Sequence, residues 1–302
     1  VTGAAAGSFV LTIEDDIPVA KAEPQKITAF VEEDGMSMVA PSDDYSEGNK
    51  DAGDSNTDDE DSGTSSIASL FDLGADEGVA EAEGSQVAYG ITTDAAKLSA
   101  LNALGLESKG AGVTFASDGQ TLTATADGRT VLTVTINADT GNWSVDLKDQ
   151  FDHVGPQDPG VENTALVSAG GSLANIDLSG VLTATDFDGD TVTGAAAGSF
   201  VLTIEDDIPE LKLEYAEGVR GMVYEDALPT GIAELPETMT TSVTLQLADL
   251  LDDVVLAPGA DEPVKVEYSI LQPEANHDSG LTSKGQVVTY QLDSTENTLV
   301  AV

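Results

Sequence analysis

Cysteine is absent from the 302 residues. That removes disulfides, thiol chemistry and any Cys-ligated zinc or iron–sulfur site. Only two histidines occur, so a multi-His transition-metal site is not expected either. Positive charge is scarce: 11 Lys and Arg stand against 55 Asp and Glu, a formal charge of −44. A chain this acidic repels DNA, RNA and anionic membranes, which rules against nucleic-acid partners. It also repels itself, opposing a compact state unless bound cations offset the charge. Aromatic residues are few, with seven Phe, six Tyr and a single Trp, and so are platforms for stacking on sugars. No apolar run approaches the roughly 18 residues of a membrane span, and no basic-then-apolar segment opens the chain. Membrane insertion by this chain is therefore not expected.

What is present is enough to fold. Hydrophobic residues make up 40% of the chain, more than an acidic disordered tail carries, and the length suits two or three domains. The organising feature is a repeat. Val1 to Pro18, VTGAAAGSFVLTIEDDIP, recurs unchanged at Val192 to Pro209, a shift of 191, and such recurrence takes precedence over any local reading. It makes 1–18 the terminal strand and linker of a preceding repeat, 19–209 a complete repeat module, and 210–302 the first part of a following, divergent one. Weaker echoes support the third part: Gly74-Ala75-Asp76-Glu77 in Gly259-Ala260-Asp261-Glu262, and GLESKGAGVTF from Gly105 in GLTSKGQVVTY from Gly280. Because Val1 begins inside a strand-like phrase, the sequence reads as a fragment of something longer.

The local patterns are those of strands. SFVLTIE, TVLTVTI from Thr130, NWSVDL from Asn142, VTLQL from Val243 and VKVEYSI from Val264 alternate apolar and polar residues, with Thr and Val suited to a pleated surface. Asp118-Gly119 and Asp127-Gly128 are hairpin turns between them. Short helices are expected over Ile67–Leu73, Leu247–Val254 and Asp94–Leu104, the last capped by Thr93 or Asp94. Trp143 falls on the apolar phase of its strand and reads as core. The fold class is mainly β, a sandwich with a minor short helical element. Ser42 to Ser66 has almost no apolar residue and is expected to form a long, solvated, disordered acidic insertion.

Chemistry concentrates in acidic turns. In Asp186-Phe187-Asp188-Gly189-Asp190 three carboxylates alternate around a glycine that permits a tight turn. Calcium seeks six to eight oxygens at about 2.3–2.6 Å, and such a loop supplies several; the alternative is an acidic surface turn. A second signal is Glu205-Asp206-Asp207-Ile208-Pro209 with its copy Glu14-Asp15-Asp16-Ile17-Pro18, each where a strand ends at a module boundary. An acidic counterpart follows each one: Glu32-Glu33-Asp34 after the first and Glu225-Asp226 after the second. A calcium ion between boundary peptide and following module would fix the angle between modules; otherwise each is a solvated linker. An enzyme is not expected. His153 and His277 lack a partner serine motif and read as structural or exposed, Ser8 and Ser199 lack a nucleophile elbow, and there is no phosphate loop.

Three phrases together carry a family resemblance: FVEEDGM from Phe30; SIASLFDLGADE with GVTFASDGQTLTATADGRTVLTVTINADTGNWSVDL; and LTATDFDGDTVTGAAAGSFVLTIEDDIP. They resemble the tandem repeat of giant type I-secreted RTX adhesins of Gram-negative bacteria, across nearly the whole chain. The resemblance implies Ig-like or cadherin-like β-sandwich extenders stiffened by calcium, exported to the extracellular cell surface. It further implies neighbouring repeats of the same chain as partners, with host, microbial or abiotic ligands bound through other domains. Carried over by position, the family's acidic closing loop falls on Asp186, Asp188 and Asp190, and its terminal strand and linker on Glu205 to Pro209. The complete module is longer than the family's repeat, and Leu211 to Glu234 departs from the usual opening. That leaves open a split host domain, or a calcium-dependent glycan- or peptide-binding module, for which Tyr89, Tyr224, Tyr268 or Tyr290 would have to flank an ion. The expected state is a monomer.

Overall fold

The computed structural model describes residues 7, 9–50, 58–63, 65–76, 87–155, 162–213, 221–232, 240–243, 254–260, 278–293 and 298–301. They fall into two units, Val1–Glu262 and Pro263–Val302. Strands dominate both, in several sheets.

The largest sheet grows from a hairpin. Thr121–Ala126 and Arg129–Ile136 pair antiparallel across Asp127 and Gly128, which sit at φ 47° and 79°. That is the type I′ turn, whose twist matches the strands it joins. Trp143–Leu147 and then Glu60–Asp61 extend one side, and Thr114–Ser117 the other. Alternation sets the faces: Leu122, Ala124 and Ala126 are buried and the threonines between them are partly exposed. A second sheet orders Ile176–Asp177, Phe200–Glu205 and Ile27–Glu32. Its last two strands run parallel, from Phe200 opposite Ile27 to Glu205 opposite Glu32. Phe200, Leu202 and Ile204 are fully buried beside Ile27, Ala29 and Val31, each large apolar side chain contributing about 1.5–3 kcal/mol. The Phe200 ring centroid lies 5.2 Å from that of Trp143 in the larger sheet, with planes tilted by 51°, as ring quadrupoles favour. A third sheet joins Ala88–Ile91, Leu182–Thr185 and Thr191–Thr193.

The expected helix is Ala95–Asn102, with Leu98 and Leu101 buried. Asp94 is its cap, accepting the Ala96 N–H at 2.8 Å. Ile67–Leu73 is not a helix. A single 3-10 turn, Ile67–Leu70, gives way to the strand Phe71–Asp72, because pairing with Val19–Ala20 outweighs local preference. The helix expected over Leu247–Val254 and the strands expected from Val243 and Val264 fall largely outside the described residues.

The acidic insertion also departs from expectation. Glu60–Asp61 is an edge strand on Trp143–Leu147, and the Ser65 carbonyl accepts the Trp143 indole N–H at 2.8 Å. Ser46 and Asn49 are buried. Ser46 donates to Asp149 at 2.7 Å, and the same buried carboxylate pairs with Lys109 and Arg129. A composition without apolar residues predicts solvated chain, yet hydrogen bonds to groups the module already buries hold 42–50 and 58–63 in place.

In the second unit Asp278–Ser283, Gln286–Asp293 and Thr298–Ala301 form an antiparallel sheet. Its Lys284-Gly285 turn, at φ 50° and 77°, matches Lys109-Gly110 at 52° and 73°, so the SKG echo folds alike in both places.

The two copies of the 18-residue repeat do not share a fate. Phe200, Leu202 and Ile204 have no exposed surface, whereas Phe9, Leu11 and Ile13 are 87%, 73% and 85% exposed and the strand expected there is not formed. Strand formation here depends on flanking strands, which the second copy has in Ile27–Glu32 and Ile176–Asp177. One substitution made twice tests this. Phe200→Ala is expected to cost about 3–5 kcal/mol and Phe9→Ala less than about 0.5, measured by urea unfolding; equal costs would refute the difference in environment.

Candidate metal centres at the joints

The two boundary peptides receive the same downstream surroundings. After Glu14 to Pro18, Val19–Ala20 pairs with Phe71–Asp72; after Glu205 to Pro209, Glu210–Leu213 pairs with Val254–Ala257. Beyond each partner strand comes a Gly-Ala turn, Gly74-Ala75 and Gly259-Ala260, whose glycines have φ 64° and 69°. The Ala75 N–H donates to Asp16 Oδ2 at 3.0 Å and the Ala260 N–H to Asp207 Oδ2 at 2.8 Å. A Cβ on either glycine would strike that carboxylate, and positive φ disfavours any other residue there. The joint is thus a structural unit that occurs twice: an Asp at the end of the boundary peptide, a short strand pair, and a Gly-Ala turn.

At the first joint, carboxylates converge from three segments. One oxygen from each of Asp15, Asp76 and Asp188 lies within 4.8 Å of the others, and the same holds for Asp186, Asp188 and Asp190. The turn is built around buried Asp186, whose Oδ1 accepts the N–H of Gly189 at 3.1 Å and of Asp190 at 2.8 Å. Gly189 makes this possible at φ 111°. The Phe187 N–H donates to the Asp76 carbonyl at 3.0 Å, which ties the two loops together. Asp186 Oδ2 is buried, and among the described residues no N–H or hydroxyl group donates to it. The Asp188 carboxyl can bond to Asp186 only by keeping its proton, and its pKa is raised, first by that bond, then by desolvation and the charges of Asp15, Asp186 and Asp76. Asp190 is raised in the same way, first by its bond to Asp15. Four oxygen-only side chains gathered around the buried Asp186 carboxylate fit a hard divalent cation and no soft one.

The second joint is built differently. The parallel ladder sets Glu205 beside Glu32, so the chain continues into two adjacent acidic tails, Asp206-Asp207 and Glu33-Asp34. All four of these residues and Glu32 are buried, and Glu205 is half-buried. Protein donors meet several of them: Glu33 Oε1 accepts the Phe151 N–H at 2.7 Å, Asp206 Oδ2 accepts from Asn163 at 2.9 Å, and Asp207 Oδ2 accepts the Asn49 N–H at 2.8 Å. His153 lies between Glu33 and Asp206, its Nδ1 3.7 Å and 3.3 Å from their carboxylates. Burial depresses its pKa. Glu33, His153 and Asp206 form a third group with metal-ligand spacing, with one nitrogen among its donors.

The acidic residues therefore pair differently from expectation. Glu32-Glu33-Asp34 meets Glu205-Asp206-Asp207 of its own module, because the opening and closing strands are ladder neighbours. Asp15 and Asp16 meet the 74–76 and 186–190 loops. Glu14 is exposed and belongs to no grouped set among the described residues. Glu225 and Asp226 form a 3-10 turn of their own, also outside any such group. Asp76, Asn49, Asn163 and His153 were not expected as site residues. The GADE echo marks Asp76, but nothing local marks the other three.

Tyr89 is half-buried in its strand, and Tyr268 lies outside the described residues. A cavity of about 360 Å³ is lined by Asp43, Asp44, Asp59, Glu60 and Asp146 with no aromatic side chain. In it the Asp59 carboxyl is pushed up to about 6, first by burial and then by Asp44. Comparisons with protein families, with curated proteins and with solved structures find no significant match to this chain.

Raised carboxyl pKa values have a definite sign. The stability such groups contribute is complete below the ordinary carboxylate range and is lost as pH rises through the raised values. In chelator, the double variant Asp188→Asn/Asp190→Asn is therefore expected to melt above the wild type at pH 7. The gap should narrow as pH falls through the raised range and the Asp188 and Asp190 carboxyls take up their protons. Comparing two proteins at each pH cancels His153, whose depressed pKa acts in the opposite sense. A gap that stays constant from pH 7 to 4 would refute the repulsion.

Proposed function

We propose that this chain is part of the structural extender of a bacterial cell-surface adhesin of the RTX type. In this reading tandem Ig-like or cadherin-like β-sandwich modules are held at a set angle by calcium at their joints, and binding domains elsewhere in the protein are presented outward from the cell. The observation that carries the reading is the twice-built joint, with five carboxylates gathered on its first copy from the boundary peptide and two loops of the following module.

Asp15 of the boundary peptide, with Asp76, Asp186, Asp188 and Asp190 of the module, would hold calcium; when bound, the ion supplies the positive charge these residues lack. Each carboxylate alone repels its neighbours, so the loops approach one another at a cost that the cation removes. Because metal binding stabilises only the gathered arrangement, it is folding free energy for the joint. A calcium-poor cytoplasm then favours a loose chain that can be exported, and extracellular calcium locks it. The formal charge of −44 also keeps separate chains apart, in keeping with a monomer.

Calcium at a hundredfold excess over its Kd is expected to add about 2.7 kcal/mol of stability and to give a longer, narrower particle by small-angle scattering, with magnesium much weaker. Asp186→Asn or Asp188→Asn should abolish both responses, and Asp226→Asn neither. If calcium leaves melting and scattering of the wild type unchanged, the acidic turns are solvated surface and the extender mechanism fails.

A further inference from the structure

We propose that the acidic insertion is a latch for the joint that follows its module, and that Asn49 is the residue through which it acts. This rests on reading 205–209 as a joint between modules and does not depend on calcium. Asn49 is buried and makes three hydrogen bonds, none within its own loop. Its N–H donates to Asp207 Oδ2 at 2.8 Å, and its side-chain amide donates to the Ile208 carbonyl at 3.1 Å and the Ala257 carbonyl at 3.0 Å. Asp207 Oδ2 accepts the Ala260 N–H as well. One side chain of the module thus grips the boundary peptide and the first strand pair of the next module together. The buried carboxylate of Asp207 is the shared hub.

The loop that delivers Asn49 is anchored on both sides. Ser46 donates to buried Asp149, and the Gly48 N–H donates to the Met36 carbonyl at 2.9 Å. Gly48 lies so close to the backbone of Asp34 that a Cβ there would collide with it. The chain thus passes directly over the Glu33–Gly35 turn before it presents Asn49.

The next module repeats this geometry with a different residue at its end. Leu228 follows the Glu225–Ala227 turn as Met36 follows Glu33–Gly35, and each donates its N–H back to the first residue of the turn, at 3.0 Å and 3.3 Å. The Gly231 N–H donates to the Leu228 carbonyl at 2.8 Å, and a Cβ on Gly231 would collide with the backbone of Asp226. Gly231 therefore corresponds to Gly48, although only two residues separate it from Leu228 where eleven separate Gly48 from Met36. The residue after it, in the place of Asn49, is Ile232, which has no side-chain amide to donate. The side-chain part of the latch belongs to the module that carries the insertion, and position 232 does not supply it. Rigidity at this joint is then set at this one position, independently of the carboxylate site at the first joint.

Amide hydrogen exchange on the full chain tests the proposal. Asn49→Ala is expected to speed exchange at Ala260 and across the Glu210–Leu213 and Val254–Ala257 pair by about tenfold. Amides of Thr121–Ile136 should be unaffected. If Asn49→Ala instead opens the module itself, Gly259→Ala decides, since its Cβ would press on Asp207 and Asn49 from outside the module. The same tenfold rise is expected there. Unchanged exchange at Ala260 in both variants overturns the latch. Both are run in calcium and in chelator: a wild type indifferent to calcium would count against the metal reading alone, while an effect of Asn49→Ala in both solutions would stand for the latch.

Discussion

The parallel ladder between Ile27–Glu32 and Phe200–Glu205 decides where everything acidic can go. Six aligned pairs bring the module's opening and closing strands side by side, and both strands run on into carboxylates. Burial of Phe200, Leu202 and Ile204 holds the ladder in register, since a slip of one residue would turn these side chains outward. Glu33, Asp34, Asp206 and Asp207 must therefore sit together at the end of the core, where a cost in desolvation and repulsion has to be met by donors. Backbone N–H groups of Phe151, Asn49 and Ala260 and the Asn163 amide meet part of it. Hydrophobic packing thus imposes the charge cluster, and the cluster in turn recruits the next segment of chain.

Local patterning was a good guide wherever pairing partners were close. The Thr121–Ile136 hairpin, the Asp94 cap and the core position of Trp143 all followed from alternation and turn residues. So did the similarity of the two SKG turns and of the two Gly-Ala turns, once the echoes were seen. The grouping of Asp186, Asp188 and Asp190 is likewise contained in their spacing around Gly189. What spacing could not reveal was partner choice over long range. Glu32 and Glu205 lie 173 residues apart, and reading acidic tripeptides in chain order paired each with its nearest successor. A parallel strand pair requires a crossover, and nothing in either tripeptide signals one.

The acidic insertion was misread for a related reason. Low hydrophobicity argues against a core, but it does not argue against attachment to groups that a core leaves unsatisfied. Asp149 is a buried carboxylate paired with Lys109 and Arg129; Ser46 adds a neutral donor, and the loop is fixed in place. Asn49 then reaches Asp207 from a stretch whose composition predicts nothing but solvent. The identical sequences 9–13 and 200–204 make the converse point: the same apolar alternation forms a strand only where it pairs with neighbours. In both cases tertiary partners decide, and composition supplies only a prior.

Between the two joints there is a division of labour that the chain's charge explains. Net repulsion in a molecule with 55 acidic residues is tolerable when carboxylates stay dispersed in solvent, and most do. It becomes acute where folding gathers them, and the two places use different remedies. The carboxylates beside Asp206 are answered in part from within, by N–H groups, amides and a buried histidine. Those around Asp188 are answered by one another's protons, a remedy that weakens as pH rises through the raised carboxyl range.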